Sequence, residues 1–531
     1  MLHFEAWKML RIDFNQRFVD HRSILVFVKK LGAITESEFS ELFDDISQLR
    51  TVELPNGRTV HLRYTRHVSH QFVEWGSFHM HKKLLGILSV AKLLDEDVSS
   101  IKTAHESLKS WYGNTALHSR CFVLGCEDKT EDKRDNGEFV FLNKDDIMEE
   151  IEKEVGTYAM ALFLVLESKR MDKSLEKPDK FAFLRSPLDG EISVDADSRN
   201  KKQCIGRMKK YIGDLCLVTG VPEEAIFHYT MAIDLLRSVG DMLWMSGSLE
   251  GLCAASLLCQ AESKLPSPER PSLQLDISQL STAGPVNGTG SDGDEYKVAS
   301  IIPLGDLEIV EKSEEIFQIY EKNKESKVLA IEARFKYARF FLSKKKYKDV
   351  SDALEDTLAI ELNFKLSDPE KIQLYSAMAM MYEDIGYMRK AAFFTRRAAR
   401  HCTSQHLPPQ GWTASYNLMR NALDGYKIRF CNKTTTKQED EQGWPDLKIQ
   451  LMKELIEMSK ELQNTSIPVR HISYLIQKMY SHIEENYMQD LINMLEKLSS
   501  TSQEEINLVD DLVLSNNDVL PPVVFTQLPI V

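Results

Sequence analysis

Residues 211–236 read YIGDLCLVTGVPEEAIFHYTMAIDLL, and their spacing decides the fold of most of the chain. Ile212-Gly213, Cys216, Gly220, Ala225, Tyr229 and Ala232 put small residues and one aromatic where two antiparallel helices approach closely, the pattern of a tetratricopeptide-type hairpin. A second copy, Met378-Ala379, Tyr382, Gly386, Ala391 and Ala398, keeps the same offsets, with Thr395 standing where Tyr229 stands in the first. A weaker third, Tyr337-Ala338, Phe341, Val350 and Leu354, starts 41 residues before the second, against an ideal period of about 34. These copies predict an irregular α-solenoid over 301–515 and a helical domain with one such hairpin over 143–262. Ordinary helical packing that happens to place Ala and Gly well is the alternative.

Upstream, the period changes. Ile24–Val28, Val60–Tyr64, Leu84–Val90 and Cys121–Leu124 are short branched and aromatic runs, with Glu138–Leu142 a fifth, separated by helical or polar stretches. Thr35, with Glu38 three positions on, makes a capping box ahead of Phe39, Leu42 and Phe43 at helical spacing. An α/β domain is expected over 21–142, behind a leader at 1–20 to which no structure is assigned. From Asp145 to Lys173, acids precede and cations follow a stripe of Ile147, Ile151, Val155, Tyr158, Leu162 and Leu166. That order suits the helix macrodipole.

Two further segments break the pattern. Ser263–Glu295, with Pro266, Pro268, Pro271 and Pro285, reads as a flexible linker within 263–300. After a helical Thr501–Leu514, Val519–Val531 reads as β-type segments without partners, so 516–531 is expected to begin a truncated β-type region of a longer polypeptide. The expected architecture is an α/β N-terminal domain followed by an α-helical TPR-like solenoid, multi-domain and predominantly helical.

Composition narrows the function. The 531 residues are 43% apolar and 27% charged, a globular balance. The net charge is −14, with residues 1–126 at +2 and the remainder at −16. Such a surface is not built to neutralise nucleic-acid phosphates. Eight cysteines without a C-x-x-C make neither a disulfide framework nor a zinc ribbon, and read as reduced thiols of a cytosolic protein. The longest apolar run, Tyr158–Leu166, is nine residues, short of the roughly 20 a membrane span needs.

Catalytic signatures are sparse. Gly288-Thr-Gly-Ser-Asp-Gly293 is the only G-x-G-x-x-G, and it follows a Pro/Ser stretch where a dinucleotide site needs a strand. No Gly precedes a Lys anywhere, so the usual phosphate loop is missing. His61, His67, His70, His79 and His81 crowd 21 residues with Glu74 among them, but no pair has helical ligand spacing. Cys121 and Cys126 fall on opposite faces of a strand. No cofactor, metal or catalytic residue is therefore assigned. Arg199–Lys210 holds six cations in 12 residues. Their spread around a helix suits a solvated helix start better than docking on a membrane plane or an acidic partner.

The same segments carry a family resemblance. Glu74-Trp75-Gly76, His81-Lys-Lys-Leu-Leu-Gly86, Leu164-Val-Leu-Glu-Ser-Lys-Arg-Met-Asp172, Asp197-Ser-Arg199, Gly206-Arg-Met-Lys-Lys210, Gly213-Asp-Leu-Cys-Leu217, His228-Tyr229, Leu235-Leu-Arg-Ser238 and Leu249-Glu-Gly-Leu-Cys253 resemble, in this order, the large subunit family specific to the TRAPP II vesicle-tethering complex, known in animals as the NIK- and IKKβ-binding protein family. The likeness is strongest over 20–260; residues 1–19 and the family's C-terminal β-sandwich domains fall outside it.

The resemblance implies a non-catalytic scaffold whose partners are the other TRAPP subunits and, through the complex, a Rab-family GTPase. It implies a cytoplasmic protein, peripheral at trans-Golgi and endosomal membranes. Glu74, Trp75, Arg170, Arg199, Arg207 and Lys209 are the expected partner contacts. An adaptor for IKK-type kinases in NF-κB signalling is a second reading. A metal-dependent hydrolase centred on His67, His70, Glu74, His79 and His81 is a third, from a different class.

Overall fold

The computed structural model describes residues 13–32, 34–55, 57–68, 75–92, 98–113, 115–124, 138–142, 147–172, 184–189, 198–262, 302–322, 326–362, 366–404, 411–428, 444–462, 464–501, 512–513 and 519–520. The expected linker at 263–300, the G-x-G-x-x-G within it, Cys126, His70 and Glu74 lie outside the described residues. The chain divides into two compact units, Met1–Phe340 and Phe341–Val531.

The first unit is built on a six-stranded sheet: β1 (Ser23–Leu31), β2 (Thr51–Glu53), β3 (Thr59–Thr65), β4 (Leu84–Lys92), β5 (His118–Leu124) and β6 (Phe139–Leu142). The order is β2-β3-β1-β4-β5-β6, and every neighbouring pair is parallel except β2 on β3. All five apolar runs quoted above are strands. The three-residue edge strand β2 carries no run long enough to read. Because β1, β4 and β5 are covered on both faces, their apolar residues run continuously and do not alternate.

Three helices provide that cover: α1 (Glu36–Gln48), α2 (Val98–Tyr112) and α3 (Ile147–Arg170). Phe39 and Ile46 of α1 and Val155, Tyr158, Leu162 and Leu166 of α3 share one core with Ile24, Val26, Leu62 and Leu88. On the opposite face Ile101 of α2 packs with Ala91, Cys121 and Val123, and Leu108 with Phe27, Leu84 and Ile87. Gly86 of β4 makes room for α3, since a Cβ there would stand 2.2 Å from the Tyr158 hydroxyl.

Helices α4 (Ser198–Val218), α5 (Pro222–Val239), α6 (Met242–Glu262) and α7 (Asp306–Lys322) follow, and α8 (Lys327–Ser343) crosses the boundary between units. The small and aromatic positions do what the spacing predicts: a Cβ on Gly213 of α4 would lie 2.9 Å, and one on Gly251 of α6 2.4 Å, from the Tyr229 ring of α5. By length and hydropathy α6 matches a membrane span, which the apolar-run reading did not register, yet 83% of that window is buried among the other helices. Glu250 sits in its middle with two hydrogen-bonding partners. The part of the leader within the described residues is no loose extension. Phe14 and Phe18 are buried, with edge-on ring contacts to Phe335 and Tyr337 of α8.

The second unit is helical: α9 (Tyr347–Leu362), α10 (Asp368–Asp384), α11 (Met388–Cys402), α12 (Trp412–Gly425), α13 (Pro445–Lys460), α14 (Ser466–Met479) and α15 (Glu485–Thr501). In the α10/α11 hairpin, Met378, Ala379, Tyr382, Ala391 and Ala398 are all buried. The aromatic missing at Thr395 is supplied one residue earlier, where the Phe394 ring stacks on Tyr382 with centroids 5.4 Å apart. Eight residues beyond the first position of each copy the backbone turns left-handed, at Gly220 (φ +75°), Gly386 (φ +79°) and, in the degenerate copy, Lys345 (φ +58°). The chain end differs from expectation. Leu512–Val513 is a strand and not the end of a helix, and it pairs antiparallel with Val519–Leu520, so that segment has a partner; Arg470 also donates to the Leu520 carbonyl at 3.0 Å.

Candidate functional site

In an open α/β sheet, ligands sit beyond the carboxyl ends of the strands where the strand order reverses, here beyond β1 and β4. At that end the described residues pair their own charges. Lys30 pairs with Glu36, and Lys92 pairs with Glu38 at 2.5 Å. Glu38 also accepts from the Thr35 amide and hydroxyl at 3.1 and 2.8 Å, while Thr35 Oγ1 accepts from the Glu38 amide. Lys92 and Thr35 hold the Glu38 carboxyl down to about 2. The N-terminus of α1, which would face a phosphate in a nucleotide-binding sheet, is thus capped by its own carboxylate.

The densest chemistry of the first unit lies elsewhere, where the segments Phe18–Arg22 and Trp75–Lys82 meet α4, α6 and α8. Three lysines are buried there, each with an acid: Lys82 with Glu332, Lys336 with Glu250 at 2.7 Å, and Lys210 with Asp214 at 2.7 Å. Tyr320 donates to Glu250 and Tyr229 to Asp214, both at 2.7 Å. Lys210 further donates to the Phe78 carbonyl, and Arg63 to the His81 carbonyl. Burial moves the Lys82 ammonium down and the Glu332 and Asp214 carboxyls up, each toward its neutral form. Partners in this quality of geometry keep such groups in place, and loss of one partner is costly.

His79 and His81 belong to this joint, with ring centroids 5.1 Å apart, and His21 lies 4.0 Å from His81. Sequence reasoning missed His21, because it sits in a short segment without periodicity. Burial first pushes all three imidazoles well below their usual range; the neighbouring lysines add to this for His21 and His79, and His21 followed by the lysines for His81. A metal cation would face three ammonium groups here. Among the described residues no three His, Cys, Asp or Glu side chains are placed to hold an ion. His67 is exposed at the end of β3, away from this group. Of the five residues of the metal-hydrolase reading, the described ones bring His79 and His81 together and leave His67 apart, while His70 and Glu74 lie outside the described residues.

The expected contact residues divide in the same way. Trp75 is 1% exposed and packs edge-on against Phe78, so its ring is core and offers no face to a partner. Arg207 is also 1% exposed. It bonds both Asp189 oxygens at 2.8 Å, Asp241 at 2.7 Å and the Leu184 carbonyl, and lies 4.6 Å over the Trp244 ring. Burial would raise the Asp189 carboxyl, but Arg207 and Ser186 outweigh it and hold it low. Arg170 joins α3 to α5 through Glu167 and Glu224, and the Glu167 bonds raise its pKa further. Arg199 donates to the Val239 carbonyl at the end of α5. Lys209 is half-buried on α4. The basic stretch 199–210 thus gives Arg207 and Lys210 to the interior, and four of the six expected contacts hold the unit together.

The second unit exposes the opposite character. On α11 and the preceding turn Tyr387, Met388 and Phe393 are exposed beside Arg389, Lys390, Arg397 and Arg400. This face presents cations and rings without internal use for all of them.

Comparison with known proteins agrees with both units. Residues 164–267 match the family model described as Trs120/TRAPPC9, N-terminal domain, and residues 313–506 match that described as Trs120/TRAPPC9 TPR; together these cover more than half of the chain. The chain is 34% identical to the trafficking protein particle complex subunit 9 of Mus musculus, over 98% of its own length and 47% of that protein. It is 32% identical to the Bos taurus protein of the same name, over 98% and 46%. The trafficking protein particle complex II-specific subunit 120 homolog of Arabidopsis thaliana is 25% identical over 61% of the chain and 25% of that protein. The chain spans about half the length of the animal relatives it matches. These two matches, following one another in order and together spanning more than half of the residues, place the chain in the Trs120/TRAPPC9 family.

Proposed function

We propose that this chain is a non-catalytic scaffold subunit of a TRAPP II-type vesicle-tethering and Rab guanine-nucleotide-exchange complex, working on the cytoplasmic side of Golgi and endosomal membranes. Its relatives are named as subunits of trafficking protein particle complexes, and the other subunits of such a complex are its partners. The observation that carries the reading is where the titratable groups lie. The buried lysines and acids of the first unit pair with one another, Lys82 with Glu332 of α8, Lys336 of α8 with Glu250 of α6, and Lys210 with Asp214 one turn along α4, an arrangement that makes a stiff frame. A stiff frame joined in sequence to TPR-like hairpins acts by holding other proteins in register.

The test is co-purification of the tagged chain with the small TRAPP subunits, followed by nucleotide exchange on Rab substrates with and without it. The expected result is stable association, no exchange or hydrolysis by the chain alone, and an altered choice of Rab when it joins the complex. Turnover of a nucleotide by the isolated chain sinks the reading. Association with IKK-type kinases that persists after loss of the tethering subunits would favour the adaptor role instead.

A further inference from the structure

We propose that α11 carries a docking site for an acidic segment of a partner protein, centred on Arg397 and Arg400. The inference rests on the scaffold reading in taking the ligand to be a protein. Over its 15 residues, MRKAAFFTRRAARHC, α11 has five Lys or Arg and no acid, inside a chain of net charge −14. Two of the five are neutralised internally. Lys390 pairs with Glu355 at 2.6 Å, and Arg396 forms a two-pronged pair with Glu454 at 2.7 and 2.8 Å. Arg397 and Arg400 have no ion pair among the described residues.

These two guanidinium groups, with His401, line a recess of about 290 Å³. Arg397 is positioned by rings and not by a carboxylate, lying 4.4 Å from the Tyr375 centroid and 5.9 Å from that of Phe393. Two acids lie nearby: Asp368 is occupied by His401 Nδ1 at 2.9 Å and by the Ser404 hydroxyl at 2.6 Å, and Glu361 is buried and meets Arg397 only through the Tyr375 hydroxyl they share. Phe393, on the same helix as these arginines, is 44% exposed. Forked guanidinium groups three residues apart on a helix suit a carboxylate or phosphate group, and the exposed ring beside them suits an apolar neighbour of that group. A concave, cationic recess with an exposed ring near Arg397 fits a peptide side chain better than the plane of a membrane. The charge of the rest of the chain disfavours a nucleic acid.

The experiment uses the full chain and fluorescence anisotropy with three labelled peptides of one design, a single Leu flanked by Glu, by phosphoserine or by Gln, together with phosphatidylserine vesicles. Binding is expected for the Glu or the phosphoserine peptide, and the stronger of the two tells carboxylate from phosphate recognition. Arg397→Glu/Arg400→Glu should weaken it at least about tenfold, as should raised salt. Lys201→Glu/Lys202→Glu, a charge-matched change on exposed positions of α4, should not. Arg397→Gln/Arg400→Gln is the second variant should charge reversal disturb folding. Failure of both acidic peptides to bind, equal binding of the Gln peptide, an unaffected double variant, or binding of vesicles alone each overturns the proposal. Absence of acidic-peptide binding by the unaltered chain, while that chain still co-purifies with TRAPP subunits, sinks this site and leaves the scaffold reading standing.

Discussion

The hydroxyl of Tyr229 on α5 donates to Asp214 Oδ1 on α4 at 2.7 Å, and both groups are buried. The ring behind that hydroxyl is clasped between Gly213 and Gly251, so one residue joins three helices by shape and by hydrogen bond. Tyr229→Phe keeps the shape and leaves a buried carboxylate oxygen without its donor. It should lower stability by about 1–3 kcal/mol, read from denaturant melts. An unchanged midpoint would mean that the hydroxyl contributes nothing.

Gly213→Leu or Ala225→Leu should overpack the same hairpin. A Cβ at Gly213 already meets the Tyr229 ring at 2.9 Å, and Ala225 is fully buried. The expected cost is about 1–3 kcal/mol. Thermal stability equal to that of the parent chain would argue that the hairpin does not pack as described.

Lys82→Met orphans Glu332 in the joint beneath the sheet. Removing one partner of a buried pair costs about 3–5 kcal/mol, whereas replacing both by apolar residues is often neutral. Lys82→Met/Glu332→Leu should therefore recover most of what the single change loses. A double variant no more stable than the single one would show that the pair is not the reason for the loss.

His471 is pushed down to about 3 by burial, with Arg420 adding to the effect, and its Nε2 lies 2.9 Å from the Tyr416 hydroxyl. In the unfolded chain it titrates near 6.5, so between pH 6.5 and about 3 the unfolded state holds the extra proton. Stability then rises with pH across that window and is lost as pH falls through it. His471→Gln should shallow the slope for the second unit, measured by melts at several pH values. A slope identical to that of the parent chain would remove His471 from the account.

Lys345 holds a left-handed backbone that Gly220 and Gly386 hold at the matching positions of the other two copies. A left-handed residue other than Gly is strained by about 1–2 kcal/mol, while Gly adds chain entropy to the unfolded state. Lys345→Gly should raise stability by up to about 1 kcal/mol. A clear drop in melting temperature would show that the lysine side chain contributes more than the turn conformation costs.

Element types were legible where local pattern determines them. The five apolar runs, the Thr35 capping box and the hairpin glycines report interactions within a few residues or a period of 3.6. The one-residue shift from Thr395 to Phe394 was not legible, because adjacent helix positions point about 100° apart and the offset carried over from Tyr229 points to 395, while the tilt of the helix that brings 394 to Tyr382 has no local signal. Burial of charge was not legible at all. Lys82, Lys210 and Arg207 look like solvated cations in sequence, and the partner of Lys82 lies 250 positions away. The surface of α11 was passed over because the basic stretch that drew notice, 199–210, was the one whose cations turn inward.

The pairing of Lys82 with Glu332 also bears on inheritance. A lineage that loses the ammonium at 82 while keeping the carboxylate at 332 carries a fold with a stranded charge, so the two positions should drift together among relatives. By the same reasoning, the sheet is not a portable module. A recombination event that copied residues 21–142 into another gene would leave behind the acid, on a distant helix, that makes its lysine tolerable.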